Sequence, residues 1–156
     1  MKTYYRYNIE NHLTLIGEED EKIYLINSDG ENFPCELLGK EMETPLIQQT
    51  FFQLQEYFQH RRKEFSLPLH FSGTPFQKRV YSALLDIPFG HTTSYKKIAE
   101  KVGSPLAYRA VGNTVNKNKI WIVVPCHRVI GSNGSLVGYA GGLTLKKELL
   151  DLEQNL

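Results

Sequence analysis

The residues best equipped for chemistry stand together at Pro125-Cys126-His127-Arg128, a thiol, an imidazole and a guanidinium in succession. The β-branched run Ile122-Val123-Val124 precedes them and Val129-Ile130 follows, so apolar walls on both sides hold Cys126 inside the protein. A cysteine reacts as thiolate, and a free thiol has a pKa of about 8.5, so reactivity at neutral pH needs a base or a positive potential nearby. Neighbours in an extended chain point apart. His127 therefore reaches the sulfur directly, through a water, or not at all. A carboxylate such as Glu153 could orient the imidazole, which is the cysteine–histidine–acid logic of nucleophilic catalysis. The plain alternative is a buried, inert cysteine beside a surface His-Arg pair. No second Cys or His lies at ligand spacing from Cys126-His127, which argues against a metal centre.

Several elements must position this group. Thr74-Pro75-Phe76-Gln77 starts a helix with Thr and Gln at capping-box spacing, Phe76, Val80 and Leu84 as its buried face, and Pro88 with Gly90 to end it. A further helix is expected from Ser94 to Val102, with Ile98, Ala99 and Val102 inward. Gly103 breaks it, and Ser104-Pro105 begins another through Ala110, Val111 and Val115. Two short helices joined by a glycine-containing turn form a helix-turn-helix candidate, whose second helix usually meets DNA. That helix carries Arg109, with Asn113, Asn116 and Lys117 towards its end. Such pairs also occur in plain helical domains. After the cysteine, five glycines within residues 131–142 predict a loop whose backbone can approach a flat or crowded ligand. It lacks the Gly-Lys-Ser/Thr ending of a phosphate loop. The last helix, Leu143 to about Glu153, has Leu145, Leu149 and Leu152 as its inner face, with Glu153 next to it.

Residues 1–72 read differently. Thr3–Ile9, His12–Ile16 and Lys22–Asn27 are short β-prone runs, separated by the turn-like Gly17-Glu18-Glu19-Asp20, and they predict a small antiparallel meander. Thr44-Pro45 then starts a helix with Ile47, Phe51, Leu54 and Phe58 on one face, ending around Arg61-Arg62-Lys63, where basic residues suit the dipole. Cys35, beside Pro34, reads as a buried or half-buried structural thiol. A domain boundary at Ser72/Gly73 coincides with a change of charge. Residues 1–72 carry 7 Lys/Arg against 12 Asp/Glu, and residues 73–156 carry 11 against 5, beneath a net charge of only +1. The basic half points to a polyanion partner. Composition is that of a soluble globular protein, no run approaches the ~20 apolar residues of a membrane span, and the N-terminus is too polar for a signal peptide. Two cysteines in this length predict free thiols in a reducing cytoplasm.

Pro125-Cys126-His127-Arg128-Val129, with Gly73-Thr74-Pro75-Phe76-Gln77, Ser94-Tyr95, Arg109-Ala110-Val111-Gly112, Asn118, Gly138-Tyr139 and Gly141-Gly142-Leu143, resembles the O6-alkylguanine-DNA alkyltransferase family. The resemblance covers about Gly73 to Glu153. Residues 1–72 match only in length and in their strands-then-helix plan. It implies an α+β protein, a small N-terminal antiparallel sheet with a helix (1–72), followed by a mainly helical, winged helix-turn-helix DNA-binding domain (73–156). It implies transfer of an alkyl group from O6 of a flipped-out guanine, with O4-alkylthymine as a second candidate lesion, to Cys126 in a single turnover, by a monomer on double-stranded DNA, with no cofactor and no metal. Cys126 then matches the acceptor, His127 and Glu153 its activating pair with water between sulfur and imidazole, and Asn118 a brace of the active-site turn. Tyr95 matches the tyrosine at guanine N3 and the flipped nucleotide's phosphate, and Arg109 the finger that replaces the extruded base. Tyr139, with backbone groups at Val129 and Ala140 and with Pro125, matches the guanine pocket, while Asn113 and Tyr108 share the DNA-facing helix. Lys119 and Trp121 stand where many relatives have proline, and Tyr108 where many have a small residue. Two rivals remain: a cysteine hydrolase, which would turn over, and a non-catalytic DNA-binding regulator, which would not need its thiol.

Overall fold

The computed structural model describes residues 1–136, 138, 139 and 141–154. The chain forms two compact units, Met1–His70 and one from Phe71 onward. The architecture is α+β, as the sequence implied.

In the first unit, β1 (Lys2–Ile9), β2 (His12–Glu19) and β3 (Lys22–Asn27) form the expected antiparallel meander. Gly17-Glu18-Glu19 is not a turn, however. β2 runs through to Glu19, and the reversals are two-residue hairpins at Glu10-Asn11 and Asp20-Glu21, all four residues having positive φ. Such turns match the right-handed twist of the strands they join, so the tighter reversal wins over the longer acidic one. A short β4 (Lys40–Glu41) adds in parallel to β1 and gives the order β3-β2-β1-β4; nothing in its composition announced it.

Helix α1 (Pro45–Phe58) packs on this sheet, capped by the Thr44 hydroxyl, which accepts from Ile47 N at 3.1 Å. It ends at Phe58, three residues before the basic run. His60 adopts φ +59°, and Arg62 turns back to Glu56 at 3.1 Å instead of facing the last carbonyls. The buried face includes the expected Ile47, Leu54 and Phe58 together with Tyr57, while Phe51 is half-buried and stacks on Tyr7. Cys35 is half-buried beside the Arg6 guanidinium.

The second unit is built from α2 (Pro75–Leu85), α3 (Tyr95–Lys101), α4 (Tyr108–Asn116) and α5 (Leu143–Gln154). The capping box at Thr74/Gln77 is formed in both directions. α3 is capped by Ser94 and packs on α4, and α2 packs on both. Gly103, at φ +83°, follows α3 in the left-handed conformation that ends helices. The second helix of the pair begins at Tyr108, four residues later than Ser104-Pro105 suggested. Ser104 O and Ala107 N close one isolated turn at 2.9 Å. Leu106, 92% exposed, gives that turn nothing to bury, and the helix starts only where Val111 and Val115 can reach the core.

β5 (Thr93–Ser94) and β6 (Val129–Ile130) pair in parallel, which ties the start of α3 to the segment just after the cysteine. Among the described residues no helix is long and apolar enough to cross a membrane.

Candidate active site

Cys126 sits at the start of a single 3-10 turn, Cys126–Arg128, packed on α5. The segment before it is not a strand. Val123 N donates to Trp121 O at 2.8 Å around Ile122, whose φ is +72°, and Cys126 N donates to Val124 O at 2.8 Å around Pro125 (φ −81°, ψ 61°). Two γ-turns thus fold the chain back on itself, and the first is the strained, left-handed kind. For a β-branched residue such a φ costs on the order of 1–3 kcal/mol and persists only when its surroundings over-determine it.

Asn118 does so. Its Nδ2 faces Ile120 O (3.2 Å), Val124 O (3.1 Å) and Cys126 Sγ (3.1 Å), while its Oδ1 accepts from Ile120 N (3.0 Å). Its own carbonyl accepts from Trp121 Nε1 at 3.0 Å. One buried amide holds both ends of the turn and the thiol.

The extended-chain picture of His127 and Arg128 is corrected by that 3-10 turn. Both side chains are buried, and both converge on Glu153. His127 Nε2 lies 2.6 Å from Glu153 Oε2. Arg128 grips the same carboxylate with Nε (2.8 Å to Oε1) and Nη2 (3.0 Å to Oε2), and its Nη1 donates to Ile87 O at 2.7 Å. Gly90 N adds a donor to Oε1 at 3.3 Å. The inner face of α5 is consequently Leu145, Lys146, Leu149 and Glu153, whereas Leu152 is only half-buried. Glu153 takes the inward place because donors converge there. Sequence spacing missed Arg128 as its clamp and Lys146 as a core residue.

Burial would raise the Glu153 pKa, but hydrogen bonds and charge from His127 and Arg128 hold it at about 2. The carboxylate is therefore ionised, so His127 Nε2 must donate to it. Burial lowers the His127 pKa, and the charges of Arg128 and Lys146 act in the same sense against Glu153. The imidazole is thus neutral, with its lone pair on Nδ1, a buried atom that makes no hydrogen bond among the described residues. Burial pushes the Cys126 thiol up to about 11, against Asn118, Tyr139 and the charge of Lys146, which pull it down. The arrangement is a fully enclosed, protonated thiol with a neutral base in the same buried turn.

Tyr95, at the first position of α3, is half-buried with its ring over Gly112 of α4, and its hydroxyl pKa is raised by burial and by Cys126. Pro125, Val129 and Tyr139 are buried around the thiol segment. Tyr139 packs against Trp121 (centroids 6.1 Å apart), and Gly141 lies so close that a Cβ there would stand 2.8 Å from Leu145 and 2.9 Å from Tyr139. Ala140 lies outside the described residues. Tyr108, Arg109 and Asn113 project from the exposed side of α4 and do not join the thiol cluster.

Two family descriptions match the chain: 6-O-methylguanine DNA methyltransferase, ribonuclease-like domain, over residues 1–71, and its DNA binding domain over residues 75–155. The constitutive methylated-DNA–protein-cysteine methyltransferase of Bacillus subtilis is 47% identical over 145 residues, 90% of this chain and 88% of the relative. The methylated-DNA–protein-cysteine methyltransferase of Methanosarcina barkeri is 54% identical over 103 residues, 66% of this chain and 65% of the relative. Among solved structures, the O6-methylguanine methyltransferase of Mycobacterium tuberculosis superposes with a TM-score of 0.90 at 36% identity, covering 99% of this chain and 93% of that one. The OGT of that organism in complex with DNA superposes at 0.88 with 36% identity, covering 97% and 92%. With both halves of the sequence matched and the thiol, imidazole and carboxylate assembled in one buried cluster, the chain belongs to the 6-O-methylguanine DNA methyltransferase family.

Proposed function

We propose that this protein repairs DNA by accepting the alkyl group of O6-alkylguanine on Cys126, irreversibly and once, with residues 73–156 as the DNA-binding and acceptor domain and 1–72 as its sheet-and-helix partner. The observation that carries this reading is a wholly buried thiol, wired through Asn118 and flanked by the His127–Glu153 pair, in the same unit as an exposed helix bearing Arg109. O6 of guanine lies inside a paired stack, so an enclosed sulfur reaches its alkyl group only if the nucleotide is flipped out. Arg109 fills the gap left in the duplex, and Tyr108 and Asn113 contact the surrounding groove. Pro125, Val129, Tyr139 and Ala140 receive the base.

In the chemical step Sγ attacks the alkyl carbon, the C–S bond forms and the C–O6 bond breaks. The thiol proton passes through a water to His127 Nδ1, and Glu153 stabilises the imidazolium that results. The electron pair left on O6 delocalises into the purine, and Tyr95, whose raised pKa keeps its hydroxyl proton-bearing, donates to N3. A thioether has no carbonyl for water to attack, so the acceptor is not regenerated. O4-alkylthymine offers the same leaving oxygen and is the second candidate lesion. The acting species is a monomer in the cytoplasm, working on double-stranded DNA without a cofactor.

Mixing the protein with duplex DNA containing O6-methylguanine should give one methyl per chain on the Cys126 peptide by mass spectrometry, after which transfer stops. An unmodified Cys126 would sink the proposal, and continued turnover would point to a hydrolase. Arg109→Ala should slow repair of duplex DNA by at least ~10-fold, since extrusion costs a few kcal/mol, while leaving reaction with free O6-benzylguanine near its original rate. Equal loss on both substrates would refute the finger assignment.

A further inference from the structure

The turn between α3 and α4 and the first residues of α4 present an apolar surface that the alkyl transfer itself does not use. Leu106 is 92% exposed and Tyr108 39%, and Pro105 and Ala110 also face solvent, with Arg109 the only charge among them. The Ala107 N to Ser104 O hydrogen bond of 2.9 Å closes the turn and presents Leu106 on it. A single exposed leucine is ordinary. This run, however, stands in a strongly basic stretch: residues 91–119 carry Lys96, Lys97, Lys101, Arg109, Lys117 and Lys119, all exposed, against Glu100 alone. Cations around an apolar centre fit a duplex groove, where phosphates line the rim and sugars and base edges form the floor. An apolar protein partner would have no use for the ring of cations. Lys96, the second residue of α3, places its ammonium over the Tyr108 ring, 5.9 Å from the centroid, so the aromatic side chain leans towards the end of α3 that carries Tyr95.

We propose that Leu106 and Tyr108 form a wedge: on duplex DNA they enter the base stack beside the position filled by Arg109 and hold it open while the damaged nucleotide is outside. The inference rests on the alkyl-acceptor reading and adds to it how the opened stack is kept from closing and which sequence context is favoured. A guanidinium can occupy a gap, but it brings little apolar area to the base faces that extrusion uncovers. Leucine is among the side chains that proteins insert between base steps to unstack and kink a duplex. A tyrosine ring stacks on a base face whichever base it meets. Leu106 has no polar atom with which to read a base, so its contribution to sequence preference comes through deformability. Pyrimidine–purine steps unstack most easily, and lesions next to such a step should therefore be repaired faster than lesions in stiffer contexts.

The test places 2-aminopurine, whose fluorescence rises when it unstacks, in the base pair next to O6-methylguanine in a short duplex. Binding is followed in the Cys126→Ala background, so that the lesion persists, and repair in the protein with its thiol. Fluorescence should rise on binding, and Leu106→Ala combined with Tyr108→Ala should remove most of that rise. The same pair of changes should slow single-turnover repair of the duplex by about tenfold or more and leave repair of single-stranded DNA within about twofold, since there is no stack to open. Leu106→Met alone, which keeps a side chain able to wedge, should stay near the parent rate. Both side chains are exposed, so the variants keep the core, and Leu37→Ala, at a 77% exposed leucine of the first unit, should change nothing. An undiminished rise in the double variant, or equal slowing on single-stranded DNA, overturns the wedge. Loss of self-association in sedimentation with repair unchanged would assign the surface to a second copy and overturns it as well. If the repair reading itself is wrong, the parent leaves Cys126 unmodified on the same duplex, and the wedge falls with it. If only the wedge is wrong, the parent methylates Cys126 and the double variant matches its rate.

Discussion

Glu153→Gln should transfer methyl groups from O6-methylguanine DNA at least ~100-fold more slowly than the unaltered protein in single-turnover assays, the range expected when a positioned base is disabled. The carboxylate does two things at once. It fixes His127 with its lone pair on Nδ1, and it balances the proton that arrives there. An amide can accept from Nε2 but cannot offset an imidazolium. The same change leaves Arg128 buried without its anion, which costs roughly 3–5 kcal/mol, so the variant should also melt earlier.

The pH dependence of stability separates the two effects. The Glu153 pKa is about 2 in the fold and near 4.5 in the unfolded chain, so its contribution is complete above about pH 5 and is lost as pH falls towards 2. The difference corresponds to about 3 kcal/mol at neutral pH. Urea unfolding at pH 7 and at pH 3 should therefore show a smaller drop in Glu153→Gln than in the parent. A wild-type transfer rate in the variant would remove the relay from the mechanism.

Asn118→Ala should lower the unfolding free energy of the second unit by about 3 kcal/mol and its melting temperature by on the order of 10 °C, measured by circular dichroism. Truncation leaves Ile120 N buried without its acceptor and takes from Val124 O one of its two donors, the other being Cys126 N. It also removes the restraint that keeps Ile122 at φ +72°. Relaxation of that turn shifts Cys126, so the thiol should lose alkyl acceptance even in molecules that remain folded. A melting point within a few degrees of the parent would show that Asn118 does not brace the turn.

The sequence made the reactive group legible because cysteine, histidine and arginine in a row between apolar runs have few other uses. It made the strands, the capping box at Thr74/Gln77 and the helix pair legible for the same reason: each is a local pattern. What it hid depended on distant partners. Glu153 meets His127 across 26 residues and Gly90 across 63, and Leu152 beside it looked the better core residue. Lys146 lay on the stripe it shares with Leu149 and Glu153, three and seven residues on, but its charge matched the expectation for a surface. The late start of α4 was equally invisible, because Ser104-Pro105 is a sound helix start that had nothing to bury. The strained γ-turn at Ile122 could not be read from a β-branched run at all. It exists because Asn118, four residues earlier, has folded over it.

The enclosed thiol has a further consequence, one of shelf life. A protein that can be used once must not be used up by the wrong electrophile. Burial pushes the Cys126 thiol up to about 11, so it stays protonated at neutral pH, and none of its surface meets solvent. Peroxides and stray alkylators, which need the anion and a clear path, find neither. A flipped base brings its own leaving group into the pocket, where the proton can be taken in the same event as the transfer. Discrimination against the chemical background of the cell is thus set by keeping the sulfur unreactive until its lesion is in contact with it.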